Sequence, residues 1–305
     1  EFVYGHDIVF HGEKTGPGMR NRYPEEYLAA YADFAGPERV LFSRDGYLGS
    51  HRHPIHWAGD QLSTWAEFRS VLKAGLSAGL SGIPYWGFDI AGFAGPLPDA
   101  ELYIRATQAA AFAPVMQWHS EPTTGQFAEI LPGTGGNNDR SPWNIAAATG
   151  STDVVPVTRA YTWLRMRLLP ELAHQAEWSA RTGVPMLRHP AFDAPGDVQA
   201  RAVEDQFLLG DLMVAPVIEA GATAREVYLP AGGWIDLWTG SRVQGPCRLR
   251  AEAPLERIPL YLKEGGCIRM DMDVVNPFAR AETARRSAQG VVPVMDADTW
   301  RVGLF

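Results

Sequence analysis

The sequence predicts an α/β protein built in two parts, a parallel sheet with helical crossovers followed by an antiparallel β domain. Over about the first two-thirds of the chain, short apolar runs alternate with longer segments whose apolar residues recur at helical spacing. Such repeated strand-then-helix units are typical of parallel sheets, because a parallel pair of strands needs a long crossover connection. From about residue 206 the apolar runs are separated by Gly and Pro at hairpin-like intervals. This change in pattern indicates a separate antiparallel domain.

Helices are predicted where apolar residues of the first part repeat every three or four positions. The predicted helices are 23–34, 63–79, 98–112 and 157–181. The second of them has one apolar stripe, and Ser63 is its predicted N-cap. The fourth contains Pro170, which predicts a bend because proline cannot donate a helical hydrogen bond.

Short buried strands are predicted between these helices. They are 39–43, 81–88 and 114–119, and a long loop is predicted over 120–154. The glycines form neither a GxGxxG motif after a strand nor a P-loop, so a nucleotide-binding sheet has no support. A barrel and a doubly wound sheet both fit the alternation of strands and helices.

The strands of the second part are predicted from apolar runs bounded by Gly and Pro. These runs are 206–219, 225–230, 233–240 and 258–270. The boundary between the two parts is predicted within 185–205.

The composition limits the kinds of partner. The formal net charge is −8 and no Lys- or Arg-rich run occurs, so nucleic acid is not expected as a partner. Neither a signal peptide nor an apolar run of transmembrane length is visible, so no membrane partner is expected and a cytoplasmic location is favoured over secretion. The 10 tryptophans fit a site that stacks on flat ligands such as sugar rings, although most tryptophans fill cores.

Charged or titratable side chains follow four successive short runs, the three predicted strands and the run before Asp60. Arg44 follows "VLFS", Asp60 follows "HWAG", Asp89 ends "PYWGF" and His119 follows "PVMQW". In a parallel barrel, functional side chains lie where the strands end and the βα loops begin. Two carboxylates with an arginine, a histidine and nearby tryptophans suit glycoside hydrolysis. In that reaction one carboxyl group protonates the leaving oxygen and another carboxylate attacks or activates water.

Other interpretations of these residues are open at this point. The two aspartates could be hydrogen-bonded turn residues. The segment "HRHPIH" sets His51, His53 and His56 within six residues. Together with the neighbouring Asp45 these histidines could bind zinc or iron. A serine nucleophile has no support, because no GxSxG motif occurs.

At these residues the sequence resembles glycoside hydrolase family 31, the retaining α-glycosidases that include α-glucosidases, α-xylosidases and sulfoquinovosidases. The segment "SRDGYLGSHRHPIHWAGDQ" is similar to the family's stretch from the substrate-binding arginine to the acid/base aspartate. The resemblance implies that Asp60 is the acid/base residue, that Arg44 binds the sugar and that Trp57 forms a wall of the pocket.

Further motifs of the family follow in order, and the resemblance extends to about residue 270. The segment "GLSGIPYWGFDIAGF" is similar to the next barrel strand, which implies that Asp89 binds sugar hydroxyls and that Phe93 closes the pocket. The segment "MQWHS" matches the one that contains a hydroxyl-binding histidine, here His119. The stretch "QFLLGDLMVAPVIEAGATAREVYLPAGGWIDLWTG" resembles the β domain that follows the barrel.

The resemblance implies both an architecture and a reaction. Residues 1–190 would form the second half of a TIM (β/α)8 barrel, and residues 191–305 an antiparallel β-sandwich domain. The implied reaction is hydrolysis of a terminal α-linked sugar by double displacement, on an α-linked oligosaccharide or glycoside, without a cofactor or a metal. The alternatives are a non-catalytic carbohydrate-binding protein and a metal-dependent hydrolase that uses the three histidines. The sequence does not choose between glucose, xylose and sulfoquinovose as the sugar.

One part of the family's pattern is not found. The family's nucleophile is the aspartate of an Asp-X-Gly-Glu motif at the end of the fourth barrel strand, and Glu1 resembles the last residue of that motif. The nucleophile is therefore expected three residues before Glu1, together with the N-terminal half of the same enzyme. The chain alone is then expected to be inactive. Asp7, the nearest carboxylate within the chain, is interpreted as a loop residue.

Overall fold

The computed structural model describes residues 8–12, 14–53, 55–119 and 139–271, and the backbone of residues 294–295. Glu1 and Asp7, on which the expectation for the nucleophile depends, lie outside these ranges. Within the described ranges, none of the helices combines the length and the apolar character that crossing a bilayer requires.

Helices dominate the described chain up to about residue 201, and strands dominate after it. The helices are α1 (Gly16–Ala35), α2 (Trp65–Leu80), α3 (Ala100–Ala110), α4 (Pro142–Thr149), α5 (Val154–Arg167), α6 (Leu169–Thr182) and α7 (Val198–Arg201). The strands are β1 (Val9–Phe10), β2 (Lys14–Thr15), β3 (Phe42–Ser43), β4 (Ile55–Trp57), β5 (Tyr85–Gly87), β6 (Phe207–Leu209), β7 (Leu212–Val214), β8 (Ala224–Asp236), β9 (Arg242–Glu252), β10 (Leu260–Lys263), β11 (Ile268–Arg269) and β12 (Val294–Met295).

Strands β3, β4 and β5 form a parallel sheet in chain order, as predicted. His56 of β4 pairs with Ser43 on one side and with Trp86 on the other. Beyond β5 the parallel pairing continues as a bridge between Asp89 and Gln117. Four successive strand segments therefore run in the same direction, and their carboxyl ends lie along one edge.

Helix α2 connects β4 to β5 and covers the sheet with its apolar face. Phe68, Leu72 and Leu76 are buried in the main core, where their spacing places them on one side of the helix. The prediction of Ser63 as the N-cap is wrong by one residue. The Thr64 hydroxyl accepts from the Glu67 N–H at 3.2 Å, and the Ser63 hydroxyl is used elsewhere.

Two other helix predictions need correction. Helix α4 lies inside the region predicted as a loop, where Ser141 caps its first turn by accepting from the Asn144 N–H. The single bent helix predicted over 157–181 is two helices, α5 and α6, with Leu168 between them. Proline disfavours a helical conformation for the residue before it and lacks an N–H group. Pro170 therefore lies in the first turn of a new helix.

The second part contains a five-stranded antiparallel sheet with the strand order β6-β7-β10-β8-β9. The predicted antiparallel arrangement is confirmed, but its strands differ in detail. The two strands predicted over 225–230 and 233–240 are the single strand β8, which keeps its pairing with β9 through a register shift between Leu229 and Gly232. Strand β9 was not predicted, because it lies at the edge of the sheet and half of its residues are charged or polar.

A buried arginine joins the helical part to the antiparallel part. Arg105 of α3 is 1% exposed, and its guanidinium donates to four carbonyl oxygens of the second part. These carbonyls belong to Ala222, Ala253, Pro254 and Arg257, at 2.7–3.1 Å. Helix α3 directly follows the segment that contains Asp89, so this contact fixes the helix behind the edge where the strands end.

Candidate active site

The edge formed by the carboxyl ends of the parallel strands brings together most of the predicted site residues. Arg44 follows β3 by one residue, and Asp60 follows β4 by three. Asp89 follows β5 by two, and its backbone is bridged to Gln117, two residues before His119. The predicted alignment of four strand ends is therefore observed in the described residues.

Arg44 and Asp60 form an ion pair at this edge. The guanidinium Nη1 donates to Asp60 Oδ2 at 2.8 Å, and the side chains are 51% and 25% exposed. Gly59 makes this approach possible, because it adopts φ +85° and a Cβ at this position would lie 2.9 Å from Arg44 Cδ. The Asp60 carboxylate is thus accessible from solvent and is held by a cation that could also reach a ligand.

Asp89 differs from Asp60 in being completely buried. Gln117 Nε2 donates to Asp89 Oδ1 at 2.7 Å, and Gln61 Nε2 donates to the Asp89 carbonyl at 2.8 Å. The other carboxylate oxygen, Oδ2, has no hydrogen-bond partner among the described residues. His119 Nδ1 lies 3.9 Å from this oxygen. A buried carboxylate oxygen without a donor is costly, so Oδ2 is available to a ligand hydroxyl.

The surroundings of Asp89 shift its pKa. Burial raises the pKa of Asp89 to about 6, and the hydrogen bond from Gln117 opposes this rise. The nearby His119 also lowers the pKa of Asp89, as does Arg140, whereas Asp60 raises it. Asp60 and Asp89 are therefore close enough to influence each other electrostatically.

Phe93 and His119 stack on each other at the same edge. Their ring centroids are 4.6 Å apart with an interplanar angle of 29°. The turn that leads to Phe93 is tight: Ala91 adopts φ +58°, and a Cβ on Gly92 would lie 2.7 Å from the backbone of Ser63. Non-glycine residues with positive φ are uncommon and cluster at functional sites. The Phe93 N–H donates to the Gln61 carbonyl at 2.8 Å, which ties this turn to the segment of Asp60.

Trp57 lies on β4, three residues before Asp60. Its ring packs against Phe42 with centroids 4.9 Å apart, and its indole nitrogen is buried without a hydrogen-bond partner among the described residues. Because the indole N–H usually finds a partner when it is buried, this group is a candidate donor to a ligand.

The histidine-rich segment does not form the metal site that was considered as an alternative. His56 is buried, whereas His51 is exposed and His53 is half-buried. Burial lowers the pKa of His56. Across the described ranges, no three His, Cys, Asp or Glu side chains are grouped closely enough to hold a metal ion.

Three polar residues of the site were not singled out in the sequence. Gln61 and Gln117 hold the backbone and the carboxylate of Asp89. Arg140 is completely buried and donates to Ser63 and to the carbonyl of Gly95, the turn that follows Phe93. The available signal was the position of Gln117 two residues before His119, since alternate residues of a strand share a face.

Comparisons with known proteins cover both parts of the chain. Residues 6–175 match a family model described as "Glycosyl hydrolases family 31 TIM-barrel domain", and residues 183–268 match one described as "Glycosyl hydrolase family 31 C-terminal domain". A 1,3-alpha-isomaltosidase from Kribbella flavida is 46% identical over 267 residues, which cover 86% of this chain and 36% of that protein.

Two solved structures are similar to the chain over most of its length. The cycloalternan-forming enzyme from Listeria monocytogenes, in complex with a pentasaccharide substrate, has a TM-score of 0.81 and 44% identity over 89% of this chain and 25% of that chain. The cycloalternan-degrading enzyme from Trueperella pyogenes, in complex with a covalent intermediate, has a TM-score of 0.77 and 40% identity over 85% of this chain and 35% of that chain. The chain therefore spans between 25% and 36% of the length of these three relatives.

Proposed function

The chain belongs to glycosyl hydrolase family 31, and from this premise we propose that it forms the acid/base side and the sugar-binding edge of an α-glycosidase active site. The observation that supports this most directly is the pair of carboxylates at neighbouring strand ends. Asp60 is partly exposed and paired with Arg44, whereas Asp89 is buried and one of its oxygens has no donor among the described residues. Two carboxyl groups in different surroundings suit two different tasks.

Asp60 is proposed as the acid/base residue. In the first step its protonated form donates to the glycosidic oxygen as the bond to the anomeric carbon breaks. In the second step its carboxylate accepts a proton from the water that releases the sugar. Arg44 donates to Asp60 at 2.8 Å and so stabilises this charged form.

Asp89, His119 and Arg44 are proposed to bind the hydroxyl groups of the sugar. Oδ2 of Asp89, which has no hydrogen-bond partner among the described residues, accepts a hydrogen bond from a sugar hydroxyl, and the exposed His119 ring lies beside the same oxygen. Phe93 and Trp57 supply apolar walls on which a sugar face can stack. The stack of Phe93 on His119 supports a common role for these two residues.

Double displacement also needs a carboxylate nucleophile. From the resemblance of Glu1 to the last residue of the family's Asp-X-Gly-Glu motif, we propose that this nucleophile is encoded three residues before Glu1. The mechanism is supported by the Trueperella pyogenes relative, whose structure contains a covalent intermediate. In retaining glycosidases the nucleophile and the acid/base stand about 5–5.5 Å apart.

The relatives favour α-glucosides as substrates over α-xylosides. A relative 46% identical to the chain is a 1,3-alpha-isomaltosidase, and the two similar structures are enzymes that form or degrade cycloalternan. Forming and degrading enzymes in one family differ in whether the sugar passes to another sugar or to water. We propose hydrolysis, with transfer to a sugar acceptor as the second candidate.

The proposal is tested on the protein encoded by the complete gene. Its products from isomaltose and from aryl α-glucoside and α-xyloside are followed by NMR, which reports the anomer released first. The unsubstituted protein is expected to release the α-anomer first. Asp60→Asn should lose this activity, whereas Asp45→Asn should keep it, since Asp45 is an exposed neighbour outside the proposed set. Initial release of the β-anomer contradicts the retaining mechanism. Binding of isomaltose without turnover supports the non-catalytic alternative, and products longer than the substrate support transfer.

A further inference from the structure

Gln117 holds the buried carboxylate of the site, and no motif assigned it a role. We propose that Gln117 is a positioning residue that orients the Asp89 carboxylate and keeps it ionised for binding a sugar hydroxyl. The inference rests on the proposed role of Asp89 in sugar binding. Gln117 makes this role of Asp89 possible, and Gln117 contacts Asp89 rather than the reacting atoms.

The hydrogen bond from Gln117 to Asp89 is short, and in the part of the chain that the structure describes few other groups are placed to donate to this carboxylate. Gln117 Nε2 lies 2.7 Å from Asp89 Oδ1, and it is the only side chain among the described residues that donates a hydrogen bond to this carboxylate. Asp89 is completely buried, so its carboxylate depends on donors from neighbouring groups rather than from bulk solvent. The remaining oxygen, Oδ2, has no donor in the described structure, and His119 Nδ1 lies 3.9 Å from it.

The backbone fixes this arrangement. Asp89 and Gln117 are directly paired in the parallel bridge, and the Ile90 N–H donates to the Gln117 carbonyl at 2.9 Å. The backbone of Gln117 is therefore held beside Asp89, where its side-chain amide reaches the carboxylate. Gln117 and His119, two residues apart, contact different oxygens of the carboxylate. Gln117 takes Oδ1, and Oδ2 is left toward His119 and a ligand.

An amide is suited to this task because it is a neutral donor. It stabilises the carboxylate by hydrogen bonding without neutralising the charge that a sugar hydroxyl then uses. Burial opposes ionisation of Asp89, and its pKa is about 6 even with the Gln117 hydrogen bond in place. Without that donor the pKa of Asp89 rises further, and a larger fraction of the carboxyl group is protonated at neutral pH.

Two substitutions separate this role from a packing role. Gln117→Met keeps the length and removes the donor, whereas Gln117→Glu keeps the shape and sets a carboxyl group against Asp89. If Gln117 only fills space, Gln117→Glu is the milder change because it is isosteric. If Gln117 stabilises the Asp89 anion, Gln117→Glu is the more severe one, because two adjacent carboxylates cannot both ionise readily.

The first measurement does not depend on activity. The titration of Asp89 is followed in the chain by the 13C shift of its carboxyl group, assigned with Asp89→Asn. The titration midpoint is expected to move upward by about one pH unit in Gln117→Met and further in Gln117→Glu. The matched control is Gln175→Met, since Gln175 donates at 2.7 Å to the buried Glu171 of its own helix α6. The control should leave the Asp89 midpoint unchanged. An unchanged midpoint in both Gln117 variants overturns the proposal.

The second measurement follows the pH dependence of KM and kcat for isomaltose in the complete enzyme. In Gln117→Met, KM is expected to rise severalfold between pH 6 and 7 and to recover at pH 8, where Asp89 ionises again. A loss that is equal at every pH overturns the positioning role. A shifted Asp89 midpoint with no change in KM supports the hold of Gln117 on Asp89 but refutes the sugar-binding role of Asp89, and with it the proposed function.

Discussion

Arg44 and Asp60 lie 16 residues apart in the chain, at the ends of neighbouring parallel strands, and are joined by a 2.8 Å ion pair. The pair gives the exposed carboxylate of the site a cationic partner that is half exposed itself. An ion pair of this exposure contributes little to the free energy of unfolding. Its placement beside the buried Asp89 therefore points to function rather than to stability.

The role of Asp60 as a general acid predicts a dependence on the leaving group. Asp60→Ala in the complete enzyme should lower kcat/KM for an alkyl α-glucoside by about 10²–10⁴-fold. An aryl α-glucoside with an acidic phenol should be affected far less, because that leaving group needs no proton. Steady-state rates on both substrates give the comparison. Equal losses on the two would mean that Asp60 binds or orients the sugar instead of donating a proton.

Gly59 is predicted to matter for activity beyond its effect on stability. In Gly59→Ala the new Cβ would lie 2.9 Å from Arg44 Cδ and displace the arginine from Asp60. We expect kcat/KM to fall by about tenfold or more, as for other misplaced catalytic groups. The matched control is Gly183→Ala, since Gly183 has φ +76° and no neighbour within 4 Å of its new Cβ.

Both glycine variants should lose about 1 kcal/mol of stability, because alanine is strained at positive φ. Urea unfolding measures this loss of stability, and enzyme assays measure the difference in kcat/KM between the two variants. If both variants retained full activity, Arg44 would not need the position that the structure gives it.

Burial of Asp89 predicts that its ionisation destabilises the folded protein. The pKa of Asp89 is about 6 in the folded state, above its ordinary value of 3.8, so the folded state binds the proton more tightly than the unfolded state does. The stability contributed by the protonated group is present below pH 4 and is lost as the pH rises through 6. The loss is about 3 kcal/mol at most.

Asp89→Asn does not ionise. Its free energy of unfolding, relative to that of the unsubstituted protein, should therefore increase between pH 4.5 and pH 7. Urea titrations at the two pH values measure this difference. The control is Phe88→Leu, which changes a buried neighbour that has no titratable group. Its free energy of unfolding should differ from that of the unsubstituted protein by the same amount at both pH values. No increase for Asp89→Asn would mean that Asp89 is better solvated than the structure indicates.

Arg105 is predicted to stabilise the contact between the two parts of the chain. Arg105→Met removes the donor to four carbonyl oxygens and should lower the free energy of unfolding by about 3 kcal/mol. Arg22→Met should cost about 0.5 kcal/mol or less, since Arg22 is 60% exposed and its ion pair in the described structure is with Glu26 of the same helix. Chemical denaturation of both variants gives the comparison. Similar small costs for the two would show that water or neighbouring donors replace the Arg105 guanidinium.

Local sequence signals located the elements of the first part well, except where two signals competed. Ser63 and Thr64 are both good N-caps, and the structure uses Thr64 for the cap while Ser63 accepts from Arg140. Helix α4 was missed although Ser141, Pro142 and Gly150 are a regular start and end of a helix. Strand β9 was missed because an edge strand with alternating charges looks like a loop in a single sequence.

The sequence by itself determined the alternation of short strands and helices in the first part, the positions of Arg44, Asp60, Asp89 and His119 after successive apolar runs, and the family. These features follow from local periodicity and from contiguous motifs, which are readable without a fold. Only the tertiary structure decided that Gln117 donates to Asp89 from 28 residues away, and that Arg105 donates to carbonyls more than 110 residues distant. A buried polar group takes whatever partner the packing brings within 3 Å, and that partner depends on strand register and helix placement, which no local pattern encodes.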